Sequence, residues 1–203
     1  MKVLSVDPGI GTTGFSVIET IEANIRLEAY GIIKPRPKDS IAKRLYHIYT
    51  EINKVLFQFL PQALAIEDAF YSKNAKSAMI LGQARGSILI AAARNDIPIF
   101  EYAPKKVKMS VCGNGTASKQ QVSYMVSKIL KLKSPPKPLD ISDAMAVGLC
   151  YINQKKYEEM QNFKVQENDL LVSCSGTMGK IVRIPEDYKK GIIKVDSFKP
   201  VFK

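Results

Sequence analysis

The amino-acid sequence predicts an α/β domain, a mixed five-stranded sheet with helices on both faces, followed by a small C-terminal β-rich extension. Three patterns predict it. Short links join three apolar runs at the start of the chain, as in an antiparallel meander. From about residue 40, stripes of helical period alternate with short apolar runs, the pattern of strands connected through helices. After about residue 153 the pattern changes to short strand-like runs punctuated by Asn, Asp and Gly. The expected domains are therefore 1–153 and 154–203.

Val3-Leu4-Ser5-Val6 reads as a buried strand that Asp7-Pro8-Gly9 ends in a turn. Residues 14–18 and 25–33 supply the second and third strands. Asp39 or Ser40 then caps a helix whose Ile41, Leu45, Ile48, Ile52, Val55 and Phe59 form one stripe, and Pro61 closes it. Ala63-Leu64-Ala65-Ile66-Glu67 is a fourth strand, apolar until its last residue. A helix over 74–95 follows, with Ala75, Ala78, Gly82 and Gly86 allowing close packing. Residues 97–100 make the fifth strand, where Pro98 marks an edge or an end. Ser118 caps a helix with Val122, Met125, Ile129 and Leu132 on its buried side. A Pro-rich connector over 134–138 leads to a last helix, which Asp140 opens and Ala144, Val147, Gly148 and Tyr151 continue. Beyond it, 170–173, 180–184 and 192–195 are strand-like, but the extension is short for a core of its own.

The 203 residues are 46% hydrophobic and 24% charged, a globular balance. No apolar run approaches the ~20 residues that cross a bilayer, and the N-terminus does not read as a secretory signal. Cys112, Cys150 and Cys174 are odd in number and widely spaced, which argues against a disulfide framework or structural zinc and for a cytoplasmic location. Thirty Lys and Arg against nineteen Asp and Glu give a net charge of +11, favouring a polyanionic partner. Residues 101–137 concentrate that excess, with eight lysines and one acid, Glu101. Such a run also serves as a solvated face.

Asp7 ends the first strand and Glu67 the fourth, while Asp140 and Asp143 stand three apart at the start of a helix and share its face. Residues at the carboxyl ends of central strands gather at one edge of such a sheet. Alone, each acid fits a structural role: a turn former, a strand-end residue, a pair favoured by the helix dipole. Together they repel unless a cation neutralises them. Hard carboxylate oxygens select Mg²⁺ or Mn²⁺, and a pair of such ions suits phosphodiester hydrolysis. With the basic surface, this reads as a metal-dependent nuclease.

The same residues carry a family resemblance. Val6-Asp7-Pro8-Gly9 with Gly14 resembles the opening of the RuvC family, bacterial Holliday-junction resolvases. Ala65-Ile66-Glu67-Asp68-Ala69-Phe70, Lys73-Asn74-Ala75 and Leu81-Gly82-Gln83-Ala84-Arg85-Gly86 resemble its second acidic segment. Phe100-Glu101-Tyr102-Ala103-Pro104, Val107-Lys108, Gly113, Gly115 and Lys119-Gln120-Gln121-Val122 continue the match, and Asp140-Ile141-Ser142-Asp143-Ala144-Met145-Ala146 is similar to its closing helix. The resemblance covers about residues 1–153.

It implies a ribonuclease H-like fold and a homodimer that nicks opposed strands of four-way junction DNA symmetrically, leaving 5′-phosphates for repair and recombination. It implies that Asp7, Glu67, Asp140 and Asp143 hold two Mg²⁺ per active site, Mn²⁺ being a substitute, with Asp7 the candidate to serve both ions. Lys119 and Lys108 match basic positions near the DNA backbone, Lys119 with a catalytic part. Phe70 matches an aromatic that stacks on opened junction bases, although a core Phe also fits. Gly113 and Gly115 could present backbone N–H groups to a phosphate or simply form a turn; Lys73, Arg85, Lys105 and Lys106 complete the expected DNA contacts. Branch-migration proteins of RuvA and RuvB type are implied partners. His47, near an apolar stripe, reads as a half-buried packing residue without a general-base role.

The extension departs from the family pattern. Asn168-Asp169-Leu170-Leu171-Val172-Ser173, Ser175-Gly176-Thr177 and Gly179-Lys180 resemble a short segment of type I restriction specificity subunits. Two other readings compete. Asp7-x-Gly9 with Gly11-Thr12-Thr13-Gly14 also resembles the first phosphate loop of sugar-kinase and actin-like ATPases, which need a second such subdomain. A module that only recognises branched DNA would gain nothing from acids beside phosphates.

Overall fold

The computed structural model describes residues 1–22, 24–68, 74–160, 170–173, 181–184 and 198–201. The chain divides into two compact units, Met1–Ile152 and Asn153–Lys203.

In the first unit, β1 (Lys2–Asp7), β2 (Thr13–Ile21) and β3 (Asn24–Ile33) form the antiparallel meander. Helix α1 (Ile41–Phe59) leads to β4 (Ala63–Glu67), α2 (Ala75–Arg94) leads to β5 (Ile99–Tyr102), and both strands add in parallel. The sheet order is β3-β2-β1-β4-β5, a mixed five-stranded sheet. Helices α3 (Pro104–Cys112), α4 (Lys119–Ile129) and α5 (Leu139–Met160) follow.

Strand alternation sorts the core into two layers. Leu4, Val6, Leu64 and Ile66 pack with Ile48 and Ile52 of α1 and Ile88 of α2. Val3, Ile18, Ala63 and Ala65 pack with Val107 of α3, Val122 of α4 and Met145 of α5. Helices therefore cover both faces, as the sequence predicts. Ser40 caps α1 and Asn74 caps α2 through side-chain oxygens that accept backbone N–H bonds.

Three details differ from the sequence reading. The edge strand β5 begins two residues later than expected, because Pro98 offers only its carbonyl, which accepts from the Leu64 N–H at 2.9 Å. Helix α3 was not expected, although Pro104 at its first turn and Gly113 at φ 69° beyond its end are its signals. Within α1, His47 is exposed rather than half-buried, since it falls beside the stripe and not on it.

The second unit contains the last turns of α5 and a three-stranded antiparallel sheet of β6 (Leu170–Ser173), β7 (Ile181–Arg183) and β8 (Phe198–Val201), in the order β7-β6-β8. The expected strand at 192–195 and most of the segment resembling restriction specificity subunits lie outside the described residues. No helix among the described residues is long and apolar enough to cross a membrane.

Candidate active site

Register brings the first two acids together. Val6 stands opposite Ile66 in the parallel β1–β4 pair, so Asp7 and Glu67 follow at the same level on adjacent strands, roughly 5 Å apart along the hydrogen-bonding direction. Both continue the series Val3–Ser5 and Ala63–Ala65, and so lie on the face covered by α5.

A missing side chain brings the third. Gly14 pairs with Asp7 across β1–β2, and a Cβ on Gly14 would overlap the carbonyl group of Asp140. The first turn of α5 therefore rests directly on the strand beside Asp7. Farther along α5, a Cβ on Gly148 would lie 2.6 Å from Ser5 Oγ, a second close approach of the same helix to the same strands. The i,i+3 spacing then puts Asp143 on the side of α5 that carries Asp140.

Lys119 enters from α4. Ser118 and Gln121 form a capping box, each side chain bonding the other's backbone N–H, which fixes where the helix begins. Lys119, its first residue, donates from Nζ to Asp143 Oδ2 at 2.6 Å. Asp143 is largely buried at 12% exposure, whereas Lys119 keeps 58% of its side chain in solvent.

The electrostatics link these residues. Burial, followed by the charges of Glu67 and Asp143 and then Asp140, pushes the Asp7 carboxyl up to about 8 against the pull of Lys119. Burial and Asp143 also raise Glu67, opposed by Lys119 and Lys108. The bond to Asp143 raises Lys119. Four acids and two lysines thus act on one another within a common field. Yet no three acidic, His or Cys side chains among the described residues are arranged to hold one metal ion. The acids share an electrostatic field, and Asp143 Oδ2 is engaged by Lys119. The donor chemistry still fits a hard divalent cation: the oxygens are carboxylate oxygens, and Asp7 lacks the positive charge that would let it ionise at neutral pH.

The expected DNA contacts separate. Lys105 and Lys106 are exposed on α3, the Lys106 ammonium lying 5.2 Å from the Tyr102 ring centre, and Lys108 is half-buried. Gly113 is the left-handed cap of α3 and donates its N–H to Met109 O at 2.9 Å, so that N–H is not offered to a phosphate. Gly115 allows close approach to Lys105, whose Cγ would lie 2.8 Å from a Cβ there. Arg85 forms an ion pair with Glu101, tying α2 to β5. Its guanidinium faces the one acid of the basic stretch. Phe70 and Lys73 lie outside the described residues.

Sequence reading missed two supports. Arg44 of α1 donates to Ile10 O at 2.7 Å, holding the loop after Asp7. In that loop Thr13 Oγ1 donates to Gly9 O at 2.7 Å, closing the turn on itself rather than leaving a phosphate cradle. Only the small residues around Gly9 hinted at this.

The family described as "Crossover junction endodeoxyribonuclease RuvC" matches residues 3–151. The crossover junction endodeoxyribonuclease RuvC of Natranaerobius thermophilus is 42% identical over 151 residues, covering 74% of this chain and 94% of its own. That of Chloroherpeton thalassium is 45% identical over 150 residues, 74% of this chain and 81% of its own. The structure of Thermus thermophilus RuvC in complex with Holliday junction substrate superposes with a TM-score of 0.74 at 33% identity, covering 78% of this chain and 96% of that one. The yeast mitochondrial Holliday junction resolvase Ydc2 shares the fold at TM-score 0.57 and 14% identity, covering 79% of this chain and 83% of that one.

Proposed function

This chain belongs to the RuvC family, and from that premise we propose that Asp7, Glu67, Asp140 and Asp143 form the active site of a crossover junction endodeoxyribonuclease that resolves four-way (Holliday) DNA junctions by paired, symmetric nicks. The enzyme is divalent-metal-dependent. The observation that carries the site is the field the acids share, in which burial and three neighbouring carboxylates hold the Asp7 carboxyl at about 8.

Two Mg²⁺ ions, or Mn²⁺ in their place, would be held by the four carboxylates, with Asp7 serving both. When bound, they supply the positive charge that ionises the acids and the Lewis acidity that polarises a phosphodiester. The chain's own residues do the rest. Asp7 and Glu67 are presented by rigid strands and the aspartates by one helix turn, so the donor set needs little reorganisation. Lys119 brings an ammonium to the rim, where it can stabilise charge developing on the attacked phosphate. Lys105, Lys106 and Lys108 attract the backbone without reading sequence. Phe70 stacks on opened junction bases and Lys73 adds a backbone contact, while Gly115 keeps the turn close against Lys105. The products carry 5′-phosphates and 3′-hydroxyls. A homodimer supplies one site per strand, and branch-migration proteins of RuvA and RuvB type, in the cytoplasm, deliver the junction.

A synthetic mobile four-way junction with Mg²⁺ tests this directly. The wild type is expected to make paired nicks, and Asp7→Asn to bind the junction without nicking it. Equal cleavage by both proteins would overturn the site assignment; a single species with monomer mass in solution would overturn the dimer.

A further inference from the structure

We infer that the buried hydrogen bond between Ser123 and Ser142 is the brace that holds Lys119 against Asp143, making both serines positioning residues for junction cleavage. The inference rests on the functional reading above. Ser123 lies on α4, one turn after Lys119, and Ser142 lies on α5 directly before Asp143. Their hydroxyl oxygens are 2.8 Å apart, with the residues 3% and 0% exposed. The same two helices are therefore joined twice, by a hydroxyl pair in the core and by an ammonium–carboxylate pair at the rim.

The rim pair cannot set its own geometry. Lys119 is more than half exposed and its stem has four rotatable carbons, so the lysine end of the pair is weakly ordered. Hydrocarbon packing does not set it either. Val122 and Val126 flank Ser123 in the core, but apolar contact is non-directional and tolerates a small slide. A hydroxyl–hydroxyl bond does not, because it weakens steeply with distance and angle. Ser127 Oγ donates to Ser123 O at 2.7 Å, giving the serine turn of α4 a second internal tie. A pair of alanines could fill this space at nearly equal stability. What hydroxyls add there is register, and the register they set is that of Lys119 with Asp143.

The test measures single-turnover cleavage at saturating Mg²⁺ for Ser142→Ala in the wild-type and Lys119→Ala backgrounds. In the wild type, the nicking rate is expected to fall about 10-fold to 100-fold, with junction affinity unchanged. In the Lys119→Ala background, adding Ser142→Ala should cost nothing more. Ser123→Ala/Ser142→Ala leaves no buried hydroxyl unpaired, so it should melt close to the wild type and still nick slowly. A second readout needs neither metal nor DNA: in ¹⁵N-lysine-labelled protein, the Lys119 ammonium signal should move toward those of solvated lysines in Ser142→Ala. Equal losses in both backgrounds, recovery of the rate in the double variant, or an unmoved ammonium signal would each overturn the brace. If the wild type itself failed to nick junctions, the functional reading would fall and the ammonium signal would still decide the brace.

Discussion

The two faces of the sheet are built on different principles. On the α1–α2 face, Leu4, Val6, Ile48, Ile52, Leu64, Ile66 and Ile88 fill the core. Ser87, the one buried hydroxyl of those helices among the described residues, bonds its own helix at Ala84. The α3–α5 face also has an apolar core, and its Ser127 likewise bonds its own helix, but here hydroxyls in addition join separate elements: Ser5 to Ser16 between strands at 2.6 Å, and Ser123 to Ser142 between helices. Hydrocarbon supplies stability and leaves small displacements uncorrected, whereas hydroxyl pairs add little net stability and fix relative position. The acids sit on the second face, where position matters more than packing energy.

Four measurements break or sharpen this contrast. The largest effect belongs to Asp7 in metal-free protein. Its folded carboxyl titrates at about 8 against an ordinary 3.8, so folding favours the protonated form. Its contribution to stability should be full below about 4, decline as pH rises, and be lost above about 8, a change on the order of 5 kcal/mol. Urea titrations in chelator from pH 4 to 9 should show this slope in the wild type and its loss in Asp7→Asn. On the other face, Leu64→Ala should lower stability by about 2–5 kcal/mol and leave the nicking rate of the folded fraction within about twofold. A large rate loss there would erase the contrast.

Gly14→Ala is the next test. The new methyl would meet the Asp140 carbonyl, at a cost of about 1–3 kcal/mol, and it should depress nicking more than its melting shift explains. The smallest effect is expected for Arg85→Ala, which removes an ion pair whose Glu101 is 43% exposed. The loss should be about 1 kcal/mol or less, with junction affinity unchanged. Reduced affinity would return Arg85 to the DNA surface.

The elements that carry the sheet were legible because their signals are local. The α1 stripe, the Ser40 and Ser118 caps, and the apolar β4 run each declare themselves within a few residues. The acids were legible as strand-end and helix-start residues; the closeness of Asp7 to Glu67 follows from β1–β4 register, and that of Asp140 from the contact at Gly14. Helix α3 was missed because only Val107 and Val111 mark its buried side, while lysines dominate the rest. The Arg85–Glu101 pair was not legible because charge type does not reveal a partner sixteen residues away. Ser142 and Ser123 looked ordinary because a hydroxyl's partner on another helix is a property of packing, not of sequence spacing.

The contact of Gly14 with Asp140 has a mechanical consequence. Because nothing intervenes between the strand and the helix turn, Asp7 and Asp140 share one foundation: the residue paired across from one acid supports the backbone of the other. The start of α5 thus cannot press closer to the strands without meeting the backbone beside Asp7. A nuclease for four-armed DNA seats these two acids on a common support through the absence of a single methyl group.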